Sequence, residues 1–317
     1  MKNVGLICEG GGTKAAYSAG VLQCLLDHEI YLPYTAGISA GAEILLAYVS
    51  RQRERLYVTG VESASQKSAV GIRPLIHEHG LFGIEATCDY IERHAPLDYE
   101  TFKTSSTQLD IGLYNIETNQ VEYFDKSYFD PKEQTLVKAA CALLMLAKPY
   151  RFQGHLYMDA GLIDMIPIEQ SIRRGNEKHI FISTKEENYV RKPAPAWQLR
   201  LASLFYPGNK EIRENLKLRH VRYKEQWGKV RELEKAGKAL VLRPHKDLGV
   251  TRYTTDRELL APWFQLGYDE TKERMDEIRA FIEMDCPSVQ DGFYLFSVRG
   301  RGGGRDERRP RPEIPRR

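Results

Sequence analysis

Five cysteines in 317 residues, Cys8, Cys24, Cys88, Cys141 and Cys286, form no C-x-x-C pair and are odd in number. That excludes a disulfide framework and points to reduced thiols in a cytoplasm. The longest apolar run, Ala139 to Ala147, falls far short of the ~20 residues that cross a bilayer. No transmembrane segment is expected. The chain enters a strand-like stretch at Val4 without a signal-peptide layout. His77 and His79 are too close together for the paired helical ligands of an H-E-x-x-H site, so neither a metal nor another cofactor is expected. There is no internal repeat, and little net charge outside one segment. Arg299 to Arg317 carries eight arginines against Asp306, Glu307 and Glu313, a tail charge of +5 that leaves residues 1–298 at −2 out of the chain's +3. This Gly/Pro/Arg stretch cannot build a core and is expected to be disordered. Without interleaved aromatic residues it gives no support to nucleic-acid binding.

What the chain does have is Gly37-Ile38-Ser39-Ala40-Gly41, a G-x-S-x-G pentapeptide between a short apolar stretch, Tyr34 to Ile38, and a helix-periodic one, Ala42 to Val49. Small residues around a serine let a strand turn sharply into a helix and project the hydroxyl. Ser39 is therefore the candidate nucleophile.

Upstream, the buried-strand pattern Val4 to Cys8 leads into Glu9-Gly10-Gly11-Gly12-Thr13-Lys14 and then into a helical pattern from Ala15. Such a loop aims backbone N–H groups at an anion above the helix N-terminus, either a phosphate or an oxyanion. Gly10-x-Gly12-x-x-Ala15 also satisfies the loose dinucleotide fingerprint, but the next strand ends in Gly37-Ile38-Ser39 rather than in the acidic residue that binds ribose. A P-loop is excluded because Lys14 lacks the G-K-[ST] context.

Asp159 ends an apolar strand, Leu156 to Met158, and precedes Ala160-Gly161. A carboxylate at a strand's carboxyl end points into the crevice where ligands bind in open α/β sheets, and there it would serve as base to Ser39. A plain turn cap is the competing reading of any D-x-G sequence. The order Ser39, Asp159, His245 also fits a hydrolase triad, although Arg243 to Asp247 has the composition of a solvated turn.

Together, Glu9 to Lys14, Gly37 to Gly41 and Asp159-Ala160-Gly161 resemble the patatin-like phospholipase family, over about Val4 to Thr184. The resemblance implies a three-layer α/β fold with a mainly parallel central sheet flanked by helices. It also implies a Ser39/Asp159 dyad working without histidine, with Gly10, Gly11 and Gly12 as oxyanion loop. The implied activity is cleavage of acyl esters of lipids, in the manner of an esterase, phospholipase or lysophospholipase. Lys14 would hold an anionic group of the substrate, and membrane contact would be peripheral. Three departures stand out: Ala15 and Ala160 replace family glycines, and the helix from Val137 to Leu144 lacks a serine pair common in relatives. A position needing positive φ would make Ala160 costly. That motivates the alternative of a lipid- or partner-binding scaffold that has lost turnover.

The expected organisation is a catalytic domain over 1–190, a mostly helical extension over 191–298 and the tail over 299–317. Residues 51–108 are expected to cover the mouth of the site. Two amphipathic helices, about 209–236 and 256–284, flank a strand at Ala239 to Arg243, their alternating charges marking solvated faces. Trp197, Leu201, Leu204, Phe205 and Tyr206 are candidates for an apolar lip for acyl chains.

Overall fold

The computed structural model describes residues 3–284. The arginine-rich tail and Cys286 lie outside them. Eight strands form one sheet: β1 (Val4–Cys8), β2 (Tyr34–Gly37), β3 (Gln108–Asn115), β4 (Gln120–Asp125), β5 (Tyr150–Phe152), β6 (His155–Asp159), β7 (Lys178–Ile182) and β8 (Ala239–Leu242). The path is β5-β6-β3-β2-β1-β7-β8, with β4 also on β3. β3, β2, β1, β7 and β8 run parallel, whereas β4, β5 and β6 join antiparallel. β1, β2, β7 and β8 are buried at every position, as expected for parallel strands covered on both faces.

Helices Ala15–Asp27 and Ala40–Val49 cover one part of the sheet with side chains that are almost all buried. The first is sealed in turn by the C-terminal helix Arg257–Glu273, whose Trp263 packs at a tilt against Tyr17, ring centroids 5.4 Å apart. The expected second C-terminal helix is broken at Arg274 into Arg257–Glu273 and Met275–Glu283. β8, from the segment after residue 190, extends the same sheet beside β7.

The register of β3 sets the site. Its residues 110–115 pair with β4 on one edge, so β2, paired at 108–111, and β6, paired at 113–115, share the other edge. Gly37 lies opposite Ile111 and Asp159 opposite Leu113, with Gly112 alone between the two levels. β2 and β6 thus run toward each other and their carboxyl ends meet. The expected strand bearing Asp159 is present, and it reaches Ser39 by running antiparallel to β2 and meeting its end.

Candidate active site

Ser39 lies one residue past β2, after Ile38, and precedes helix Ala40–Val49 with φ 56° and ψ −137°. A non-glycine residue in that region carries backbone strain of ~1–3 kcal/mol, held in place here by the packed turn around it. Gly41 shows why the pentapeptide needs small residues: a Cβ there would come within 2.6 Å of the Glu9 carbonyl oxygen. The helix start therefore presses against the end of β1. Gly10 lies over the nucleophile, where a Cβ would come within 2.7 Å of the Ser39 Cβ.

Asp159 is buried and accepts a 2.7 Å hydrogen bond from the Gly161 N–H. Burial raises its pKa above the usual aspartate value; the Gly161 N–H, the Ser39 hydroxyl and the Arg219 and Arg252 guanidiniums oppose the rise in that order. A carboxylate facing a serine hydroxyl, with its proton affinity raised by burial, can accept that serine's proton. The Gly161 bond is also a turn cap, so Asp159 does what a D-x-G sequence commonly does and faces Ser39 as well.

The glycine loop is braced from beneath by Glu9. This buried carboxylate accepts from the Thr184 N–H at 2.7 Å and from the Tyr223 hydroxyl at 3.1 Å, takes a further bond from Ser183 Oγ, and lies 3.3 Å from Lys185 Nζ. Residues from the far end of the chain brace it from the side. The Thr13 hydroxyl donates to the Thr251 carbonyl at 2.9 Å, and the Thr13 N–H to the Arg252 carbonyl at 3.4 Å. Among the described residues the N–H groups of Gly10, Gly11 and Gly12 donate to no protein acceptor. Buried or half-buried N–H groups without partners are costly, and an incoming oxyanion is the partner they suit.

Two hollows meet at Ser39. One is an apolar cleft whose walls include Ala16, Ile44, Ala69, Phe82 and Leu143. Much of its wall comes from residues 59–87, inside the segment expected to cover the mouth. Glu43 also faces it, its carboxyl pushed up to about 7 by burial, with Arg55 opposing. The other hollow is polar, bounded by Gly10 to Gly12, Ser39 and Asp159 together with Lys185, Arg191, Arg219 and Arg252.

Ser39, Asp159, Gly10, Gly11 and Gly12 are thus together. Lys14 is not with them: its ammonium lies over the Trp263 ring at 5.5 Å and lines neither hollow. His245 is exposed and pairs with Glu270, away from Ser39. Trp197, Leu204 and Phe205 are exposed on helix Ala196–Phe205 and take no part in the cleft wall. Among the described residues no group of three or more His, Cys, Asp or Glu could hold a metal, and no helix is long and apolar enough to cross a membrane.

The arginines and Glu9 are the residues that sequence reasoning missed. Helix Lys210–Lys235 buries Ile212, Asn215, Leu216, Tyr223, Trp227 and Val230, a stripe at three- and four-residue spacing that Arg219 interrupts. A charge set inside an apolar stripe is the signal that was there to be read. Arg219 Nε donates to the Gly161 carbonyl at 2.6 Å, in the turn that carries Asp159.

Fold and site together set a serine on a strand-to-helix elbow against a buried carboxylate and a glycine loop. Residues 6–172 match the patatin-like phospholipase family model, and the chain belongs to that family. Residues 209–283 match a domain of unknown function, DUF6363. The uncharacterized protein YjjU of Escherichia coli K12 is 24% identical over 192 residues, which are 57% of this chain and 52% of that protein. The chain thus covers about half the length of this relative. Among solved structures, VipD from Legionella pneumophila aligns with a TM-score of 0.43 at 14% identity, over 87% of this chain and 67% of that one. Human GIVD cytosolic phospholipase A2, in complex with methyl gamma-linolenyl fluorophosphonate and terbium chloride, aligns with a TM-score of 0.48 at 12% identity, over 88% and 59%.

Proposed function

We propose that the protein is a serine hydrolase that cleaves carboxylic esters of acyl lipids through an acyl-enzyme on Ser39, with Asp159 as base and the N–H groups of Gly10, Gly11 and Gly12 as oxyanion hole. The observation that carries this reading is the end-to-end meeting of β2 and β6 on one edge of β3, which sets Ser39 against a buried carboxylate. Asp159 accepts the hydroxyl proton as Ser39 Oγ bonds to the ester carbonyl carbon. The negative charge that develops on the carbonyl oxygen is held by the loop N–H groups. Collapse of the intermediate breaks the ester C–O bond, and the proton on Asp159 passes to the leaving alkoxide. Water then gives a proton to Asp159 as its oxygen bonds to the acyl carbon, and the C–Oγ bond breaks as Asp159 returns that proton to Ser39 Oγ, releasing a carboxylic acid. The acyl chain occupies the apolar cleft.

The scaffold alternative rested on Ala15 and Ala160. Ala15 has φ −64°, and Ala160 is not among the residues with positive φ, so neither position requires glycine. The cysteines among the described residues are all free, which supports action in a reducing compartment, with lipid reached peripherally. Reaction of the full-length protein with a fluorophosphonate probe, followed by mass spectrometry, tests the reading. Labelling on Ser39 that disappears in Ser39→Ala is expected; a folded protein that takes up no label, with no hydrolysis across short esters, lysophospholipids and acylglycerols, overturns it.

A further inference from the structure

The polar hollow beside Ser39 holds four cations, Lys185, Arg191, Arg219 and Arg252, against two carboxylates, Glu9 and Asp159. Both carboxylates are occupied: Glu9 by Ser183, Thr184, Lys185 and Tyr223, and Asp159 by the Gly161 N–H and the serine. Among the described residues none of the three guanidiniums forms an ion pair, and Arg191 Nε is buried with no hydrogen-bond partner. All three arginines are half-buried, and partly desolvated arginines ordinarily have carboxylate partners, because an unpaired charge out of water is costly. Here they crowd one another instead. Burial, then Arg191 and Arg252, push Arg219 down to about 9, with Asp159 opposing. Burial pushes Lys185 down to about 8, where Glu9 opposes and the same two arginines add to the fall.

Each of the three arginines is tied to a neighbouring element. Arg191 stacks on the Tyr223 ring at 4.5 Å, Arg219 donates to Gly161, and the Arg252 backbone accepts from Thr13 in the glycine loop. All three also face an outer groove lined by Tyr189, Lys192 and Tyr253, with no carboxylate in its wall. They therefore border both the hollow at Ser39 and the outer groove, whereas none of them lines the apolar cleft. If the acyl chain fills the cleft, the alcohol half of the ester falls among the arginines.

Building on Ser39 as nucleophile, we propose that Arg191, Arg219 and Arg252 form a phosphomonoester site for the leaving half of the substrate, selecting acyl esters of glycerol phosphate over neutral acylglycerols and phosphocholine lipids. A guanidinium fork matches phosphate oxygens bidentately, and a phosphomonoester carries a charge of about −1.5 to −2 at neutral pH, enough to offset the excess cations. A choline ammonium would be driven into a groove that offers further cations and no carboxylate. All three residues lie beyond the matched residues 6–172, so this chain's C-terminal segment would set its headgroup preference.

The test compares full-length protein on three substrates of one acyl chain: acylglycerol 3-phosphate, acylglycerophosphocholine and monoacylglycerol. The phosphomonoester is expected to lead the other two in kcat/KM by about tenfold or more, and Arg191→Gln or Arg252→Gln to shrink that ratio roughly tenfold, with Arg252→Lys restoring part of it. Calorimetry on the full-length Ser39→Ala protein reads the site without turnover. Acylglycerol 3-phosphate is expected to bind about tenfold or more tightly than inorganic phosphate, and Arg252→Gln, added to Ser39→Ala, to weaken both. Equal binding of lipid and inorganic phosphate overturns the headgroup assignment. Equal kcat/KM on all three substrates, with Ser39 still labelled by fluorophosphonate, overturns the anion site and leaves the hydrolase reading standing. Absence of both label and hydrolysis removes the hydrolase reading, and the calorimetric arm still decides whether the arginines bind phosphate.

Discussion

The two hollows that meet at Ser39 are built by different parts of the chain. The apolar cleft is lined wholly by residues between Gly12 and Leu143, inside the stretch that matches the family. The polar hollow takes its cations from Lys185, Arg191, Arg219 and Arg252, which all follow that stretch. The reacting atoms belong to motifs a few residues long, whereas the groups facing the leaving half come from a loop, a helix and a turn brought together by the fold. The same C-terminal segment also braces the reaction machinery, through Tyr223 on Glu9, Thr251 and Arg252 on Thr13, and Arg219 on Gly161. In the proposed reading, chemistry and selectivity are therefore separate in sequence and continuous in structure.

The largest expected effect tests the motif side of this contrast. Ser39→Ala removes the nucleophile and should lower kcat/KM on a soluble neutral ester by roughly 10,000-fold or more. Asp159→Asn keeps shape and should cost roughly 100- to 10,000-fold. Both should retain a native far-UV spectrum. The acid limb of the pH–rate profile should lie above the ordinary aspartate range, because Asp159 acts only when ionised and burial has raised its pKa. Activity is then lost as pH falls through that raised value. A limb at the ordinary value, or near-native turnover in Asp159→Asn, would break the dyad.

The seam between the two regions carries the next effect. Asp164 accepts from the Tyr123 hydroxyl at 2.6 Å and from Gln226 Nε2, on helix Lys210–Lys235, at 3.1 Å. Burial raises its pKa from 3.8 to about 6, with Tyr123 the first opposing influence. A carboxyl that holds its proton more tightly folded than unfolded lends stability below the unfolded pKa, and that contribution is lost as pH rises between the two values. Asp164→Asn should therefore match the parent near pH 4 and exceed it by ~2 kcal/mol at pH 7, as read from thermal melts across that range. A parallel offset at every pH would mean that ionisation at this seam is not the cause.

The fold and the reacting residues were legible because each rests on a local pattern. The apolar run at Val4 to Cys8, the pentapeptide at 37–41 and the strand ending in Asp159 all carry their structure in adjacent residues. What could not be read was β6 meeting β2 end to end, since that depends on β3 overrunning its neighbour. Arg219 was hidden for a different reason. The alternating charges of its helix read as a solvated face, and the buried stripe of Ile212, Leu216, Tyr223, Trp227 and Val230 that it interrupts was overlooked. Lys14, the cation nearest the motif in sequence, is instead held over Trp263.

The cleft side gives a smaller effect. Thr87 lies on its wall, so Thr87→Phe should fill part of the space otherwise open to an acyl chain. Exclusion of two methylenes, at ~0.8 kcal/mol each, would lower kcat/KM on long-chain substrates roughly tenfold while hydrolysis of a short ester continues. Headgroup preference should not change with it. A variant that altered headgroup preference and left chain-length preference intact would show that the two hollows do not divide the substrate as proposed.

The smallest effect concerns Ala160, where the family resemblance implies a glycine. The residue is fully buried in a short turn over Ala160–Leu162, its φ is not positive, and its carbonyl accepts from the Ile163 and Asp164 N–H groups at 2.9 Å each. A glycine there would relieve no strain. It would lose a buried methyl and add freedom to the unfolded chain, a cost of ~1 kcal/mol. Asp159 keeps its bond to the Gly161 N–H, which does not involve the Ala160 side chain. Ala160→Gly should accordingly melt a few degrees earlier and hydrolyse a soluble ester within about twofold of the parent rate. A several-fold gain in turnover would show that the alanine methyl holds the Asp159 turn away from its best geometry.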